Sequence, residues 1–141
     1  MRRVVRGLLP LVLVGLAGAH LALGEPSEAV AVVREGIDLG SAGGCLYNEA
    51  LAQLALAAAL LATDGVVRRA EIESALERAE QLVTSIEGSA LSPRIVELRG
   101  RLAAAVGNAP SSDRTLREAL DLYRAIGAIG HAERLVRELD A

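Results

Sequence analysis

Apolar residues along this chain recur at intervals of three and four, and no comparable stretch alternates with period two. Ile95, Leu98, Leu102 and Val106 share one face of a helix, as do Leu116, Leu120 and Tyr123, and Ile72, Leu76, Ala79 and Val83; only the 3.6-residue period brings such positions together. Turn-forming residues interrupt the pattern at 24–27, 40–44, 63–65, 88–90, 92–93, 107–112 and 127–130. The intervals between them predict helices over 8–23, 26–39, 45–62, 69–86, 93–106, 112–126 and 130–139, hence an all-α fold. Ser92, Ser111 and Ser112 are placed to cap helices, Pro93 suits a first helical turn, and Gly107 suits the left-handed residue just past a helix end. Gly40–Gly44 reads as a turn between helices, because its glycines have neither a preceding strand nor a lysine to make a phosphate cradle.

The polar positions agree with the helices. Opposite charges stand four apart at Arg34/Asp38, Arg69/Glu73, Glu97/Arg101, Arg114/Glu118, Arg117/Asp121, Glu133/Arg137 and Arg134/Glu138. Exposed pairs of this kind contribute about 0.2–0.5 kcal/mol each, so they mark a solvated face rather than a stabilising device.

The chain also repeats itself. Arg34–Leu39 (REGIDL) returns as Arg117–Leu122 (REALDL) at an offset of 83, which also brings Gly24 onto Gly107. A weaker copy, Ala75-Leu76-Glu77, lies between them, 39 residues after the first and 44 before the second. Three helix pairs of roughly forty residues therefore follow one another, at 8–40, 45–87 and 92–127, with a capping helix at 130–139, as one domain over 1–141. This arrangement bears on the N-terminus. Arg2, Arg3 and Arg6 followed by the apolar run Leu8–Leu23 also fit a secretory signal cleaved near Gly24. The repeat reading is preferred, because the run occupies the place of a first helix and ends at the glycine that matches Gly107. The alternative is an exported helical-repeat protein lacking residues 1–24.

Leu16, Ala17, His20, Gly24, Ala29, Val33 and Gly36 stand at the spacing of the tetratricopeptide pattern, and Gly100, Ala103, Gly107, Leu116 and Ala119 hold matching places in the third pair. Arg99 and Ser112 depart from the pattern, and the spacing of roughly forty exceeds the usual 34. The chain thus resembles a divergent tetratricopeptide-like array, a right-handed stack of helical hairpins in which small residues let helices approach closely. The last third, Leu91–Leu102 and Leu116–Leu135 with Tyr123 among its packing positions, is similar to the C-terminal region of bacterial regulators that join a class III adenylate/guanylate cyclase domain and an AAA- or STAND-type ATPase to such repeats. That resemblance implies the sensor or scaffold end of a longer regulator. The family's cyclase carboxylates and ATPase phosphate loop lie upstream of the repeats and match no position here.

Composition narrows the chemistry. All 15 basic residues are Arg, which removes Schiff-base and P-loop chemistry. Tyr47 and Tyr123 are the whole aromatic content, too little for a base-stacking or glycan-binding platform. A net charge of -3 with interleaved signs argues against nucleic acid. One Cys and two His suffice for neither a structural zinc site nor an internal disulfide. Cys45 at a helix start could be reactive, but a small thiol in a reducing cytoplasm is the simpler reading; His20 and His131 lack a partner at motif spacing. The expectation is therefore a non-catalytic cytoplasmic module with no cofactor or metal. It binds protein, either a peptide or an upstream ATPase or cyclase domain, and no nucleic acid or membrane. Arg94, Glu97 and Arg101 on the concave side are the candidate partner-binding residues, and the apolar N-terminal helix is a candidate for self-association.

Overall fold

Helices take up nearly all of the chain that the computed structural model describes, residues 13–43, 46–86 and 89–140. They are α1 (Leu13–Ala22), α2 (Pro26–Gly43), α3 (Leu46–Asp64), α4 (Arg69–Ser85), α5 (Ser92–Ala105), α6 (Ala109–Ala125) and α7 (Ile129–Leu139), with a 3-10 turn at Ser89–Leu91 before α5. Among the described residues there is no strand, and the fold is all-α. Cys45 lies outside the described residues.

Three helix ends share one construction. Gly24, Gly107 and Gly127 have φ of 75°, 83° and 76°, the left-handed region a glycine enters without steric cost. At each, the glycine N–H donates three residues back, to Leu21, Ala104 or Arg124, and the next N–H donates five back, to His20, Ala103 or Tyr123. This is the Schellman closure, and it satisfies carbonyls the helix would otherwise leave open. The Gly24–Gly107 match thus corresponds to one local geometry, with Gly127 a third instance.

The N-terminal signals are a different matter. Ser92 is the first helical residue rather than the cap, because the 3-10 turn leaves Leu91 already in helical conformation (φ -88°, ψ -15°) and the chain runs straight into α5. Ser111 and Ser112 also lie inside a helix. The cap of α6 is Asn108, whose Oδ1 accepts from the Ser111 N–H at 3.2 Å, so α6 starts three residues before the expected 112. Nor is Gly40–Gly43 a turn: α2 continues through it. Glycine lowers helix stability by only about 1 kcal/mol and does not forbid a helix.

Packing radiates from α3, which lies against α2, α4 and α5. α3 is long and apolar enough to cross a membrane, and Ala50, Leu54, Ala57 and Ala59 on it are fully buried in the main core. That core also holds Ala17 of α1, Ala29 and Val33 of α2, and Ile72, Leu76 and Ala79 of α4. Leu16, expected to pack, is 45% exposed, because it lies about 100° around α1 from the inward-facing Ala17. A second, smaller cluster joins α6 and α7 through Ala119, Leu120, Tyr123, Ala132 and Leu135.

Helices two apart in the chain also meet. Arg34 of α2 pairs with Glu71 of α4 rather than with Asp38, Glu97 of α5 with Arg134 of α7, and Arg101 of α5 with Glu138 of α7, each across 37 residues. Of the expected pairs four apart, Arg69–Glu73 (2.9 Å), Arg101–Glu97 (2.9 Å) and Arg134–Glu138 (3.4 Å) form, while Arg117 turns back to Asp113. Arg99, where the repeat pattern wants an apolar residue, is exposed and pairs with Glu80.

Of the described glycines, Gly100 has the least room for a side chain. A Cβ there would lie 2.8 Å from both Cγ and Cδ2 of Leu116, so α5 and α6 approach as they do because position 100 has no side chain. Gly100→Ala is expected to lower stability by about 1–3 kcal/mol despite better helix propensity. Combining it with Leu116→Ala should cost less than the sum of the two single changes. Gly130→Ala, which meets open space in α7, should instead stabilise by up to about 1 kcal/mol. Urea denaturation of the four variants checks these signs.

Candidate functional site

Period 3.6 places Arg94, Glu97 and Arg101 on one side of α5, but the structure does not leave them equivalent. Arg94 is exposed, Arg101 is partly covered, and Glu97 is buried at 9% exposure. Glu97 is therefore no free surface charge. The reason is tertiary: the turn at Gly127 sends α7 back across this side of α5, which helical periodicity within α5 cannot report.

Glu97 collects donors from three helices. Arg101 Nε of α5 donates to Oε2 at 2.9 Å, Tyr123 Oη of α6 to Oε1 at 3.1 Å, and Arg134 Nη2 of α7 to Oε1 at 2.7 Å, with Arg134 Nη1 at 3.4 Å from Oε2. Glu138 of α7 closes the cluster, accepting from Arg101 Nη2 at 2.9 Å and Arg134 Nη1 at 3.4 Å. His131 lies at its edge. Its ring stacks on Tyr123 with centroids 4.8 Å apart at 13°, and its Nδ1 stands 3.1 Å from Arg134 Nη2. Arginine is a donor only, so that contact requires the lone pair of the imidazole on Nδ1.

Burial alone would push the Glu97 carboxyl up. The hydrogen bonds and positive charges of Arg134 and Arg101 outweigh it and hold the group below the ordinary 4.5. Tyr123 goes the other way, pushed up to about 12 by burial and by the Glu97 charge it faces. Arg101 and Arg134 are held more firmly protonated, Arg101 against the effect of its own burial, Arg134 chiefly by its bond to Glu97. The arrangement holds Glu97 as an anion with both carboxylate oxygens engaged by donors. Among the described residues no group of three or more His, Cys, Asp or Glu side chains could hold a metal ion.

Beside the cluster runs a groove of about 510 Å³ between α3 and α5. Ala58, Leu61 and Ala62 of α3 and Leu98, Ala104 and Ala105 of α5 line it, with Leu116 at one side, and its charged lining is Glu97 and Arg101. The groove thus shares two side chains with the contact that seats α7. Two other depressions differ in character. One of about 500 Å³ near Arg69, Glu77, Glu80 and Arg99 is lined by mixed charge, and one of about 450 Å³ lies along α7 at Ile129, Ala132 and Val136.

The remaining expected positions are distributed over the array. Ala17, Ala29, Val33, Gly36, Gly100, Ala119 and Tyr123 are buried, Ala103 and Leu116 partly so, and His20 bonds Glu25 at 2.7 Å at the end of α1. Arg134, Glu138 and the Tyr123 hydroxyl complete the cluster and are not among the partner-binding residues expected from the sequence. Their signal was present: Glu97…Arg101 and Arg134…Glu138 have the same spacing in opposite order, which is what two facing helices need. No protein-family model, curated protein or solved structure matches the chain.

Glu97→Gln is expected to cost about 2 kcal/mol, the scale of hydrogen bonds to a charged group. Arg117→Ala, which removes an exposed pair with Asp113, should leave the urea midpoint unchanged. Because the folded carboxyl is depressed, Glu97 stabilises fully above about pH 4.5 and loses that contribution as pH falls through its lower folded value. The stability gap between wild type and Glu97→Gln should accordingly close on acidification. For Tyr123 the sign reverses: in a Tyr47→Phe chain, phenolate absorbance should rise with a midpoint at about 12, and stability should fall between about pH 10 and that value. Adding Glu97→Gln should move the midpoint down.

Proposed function

We propose that this chain is a non-catalytic protein-binding module of the tetratricopeptide-like class, working in the cytoplasm as the sensor or scaffold end of a cyclase- or ATPase-type signalling regulator. One observation carries the reading: the groove between α3 and α5 offers an apolar floor whose charged lining residues, Glu97 and Arg101, are already paired. Such a surface favours an apolar helix face or extended segment and gives a small polar ligand little to hold. Successive antiparallel helices, contact between α3 and α5, the same turn at Gly24 and Gly107, and the close approach at Gly100 support the repeat class. In that arrangement α1, α3, α5 and α7 line one side, and the groove lies on it. The resemblance of Leu91–Leu135 to the regulator family supports an ATPase or cyclase domain as the partner.

A photo-crosslinking residue in place of Ala104, on the groove, tests the idea in native cells. It should capture a protein that the same residue in place of Glu118 does not, and Ala62→Glu in the same chain should abolish the capture. All three substituted positions are exposed, so helicity should be unchanged. Equal capture from both crosslinker positions, or capture indifferent to Ala62→Glu, would sink the groove as the binding surface.

A further inference from the structure

The contact between α7 and its neighbours is more polar inside than a terminal cap requires. A helix that only ends an array needs an apolar inner face and a solvated outer one. α7 has that apolar face, Ala132 and Leu135 against Leu120 and Tyr123, yet beside it Arg134 and Glu138 meet Glu97 and Arg101 in a partly desolvated cluster. Glu97 is the buried member, while Arg101, Arg134 and Glu138 stay partly in solvent; burying a carboxylate costs desolvation that an apolar pair would avoid, and the use of such a charge is to select one register and one partner.

Three further features make the seat separable. Its small apolar cluster is distinct from the main core, so α7 can leave without opening α1–α4. α7 has only eleven residues, below the roughly 12–15 at which a helix persists alone in water, so it is helical because it is docked. It is joined to α6 by three residues, Ile126, Gly127 at φ +76° and Ala128, a short turn that can act as a hinge.

We propose that α7 is an exchangeable pseudo-ligand. Its seat on α5 and α6 is a helix-binding site, and the incoming partner is an amphipathic helix with Arg and Glu four residues apart beside an Ala-x-x-Leu edge, as in Ala132, Arg134, Leu135 and Glu138. The occupant follows from charge complementarity: Glu97 accepts from an arginine, and Arg101, one turn on, donates to a glutamate. Departure of α7 frees Glu97 and Arg101 to the groove between α3 and α5 and lengthens it across α6. The inference rests on the protein-binding reading above and adds the chemistry of the partner and the element that excludes it.

The test uses the full chain and a labelled synthetic peptide of residues 126–141. Tethered α7 competes at an effective concentration in the millimolar range, so the peptide should bind wild type weakly. With Arg134→Ala and Glu138→Ala in the chain, α7 amides should exchange faster with deuterium and the peptide should bind at least ten-fold tighter by fluorescence anisotropy. A peptide with those two charges reversed should bind at least ten-fold more weakly than the native one. Unchanged α7 exchange, no gain in peptide affinity, or equal binding of both peptides would each overturn the proposal. These readouts do not depend on capture at Ala104, so failure here leaves the groove reading standing, and failure there leaves the seat measurable.

Discussion

A core made of alanine, leucine, valine and isoleucine has to be filled by bringing helix axes together, because no large side chain can span a wide gap. Ala17, Ala29, Ala50, Ala57, Ala59 and Ala79 are all fully buried, and Tyr123 is the one buried aromatic ring. Gly100 takes this furthest, with Leu116 lying where a Cβ would be. Close approach sets everything above it. It lets α3 touch α2, α4 and α5 at once, and it brings helices two apart within reach of each other's long side chains. An arginine-rich surface is suited to that second consequence, since a guanidinium can reach across a helix interface and bind two carboxylate groups from its planar fork. Arg101 and Arg134 both do so, bridging Glu97 and Glu138.

The same packing explains why polarity is buried at one end of the array. Around α3 the apolar side chains are numerous enough to close the core. Between α6 and α7 the cluster is small, and Tyr123 brings a hydroxyl that needs a partner once buried. Glu97 supplies it, and the carboxylate in turn needs more donors than a tyrosine provides. Arg101 and Arg134 complete the set, and no buried side-chain polar atom is left unpaired among the described residues. Each group in the cluster is thus explained by the one before it, and removing Glu97 leaves the buried Tyr123 hydroxyl without its partner.

Much of this fold was legible in the sequence because it is local. Apolar spacing gave α2–α7 within four residues of their observed bounds and the C-terminal end of α1, and the Gly24–Gly107 match named two turns of identical hydrogen bonding. What failed was of two kinds. Caps were misread where a competing local device served instead: the Asn108 side chain took the place of Ser112, and the 3-10 turn before Ser92 made a cap unnecessary. Glycines 40 and 43 were read as a break although a helix tolerates them. The burial of Glu97 was illegible for a different reason. Arg94, Glu97 and Arg101 share a face of α5, but whether that face meets solvent depends on where a helix some thirty residues later comes to rest, and only tertiary packing decides that. The reversed charge order in α5 and α7 was the readable trace of that contact.

Glu97 and Arg101 belong both to the wall of the groove and to the seat of α7, and this has a thermodynamic consequence. A ligand in the groove that meets these two side chains differently when Arg134 and Glu138 are present and when they are not has different affinities for the docked and undocked states. By linkage, it must then shift α7 by the same factor by which α7 shifts its binding. A ligand that contacts only Ala58, Ala62 and Ala104 has no such difference and leaves α7 where it is, however tightly it binds. On the proposed reading, the distinction between a passive scaffold and a sensor therefore comes down to whether a bound segment reaches Glu97, the carboxylate on which three helices converge.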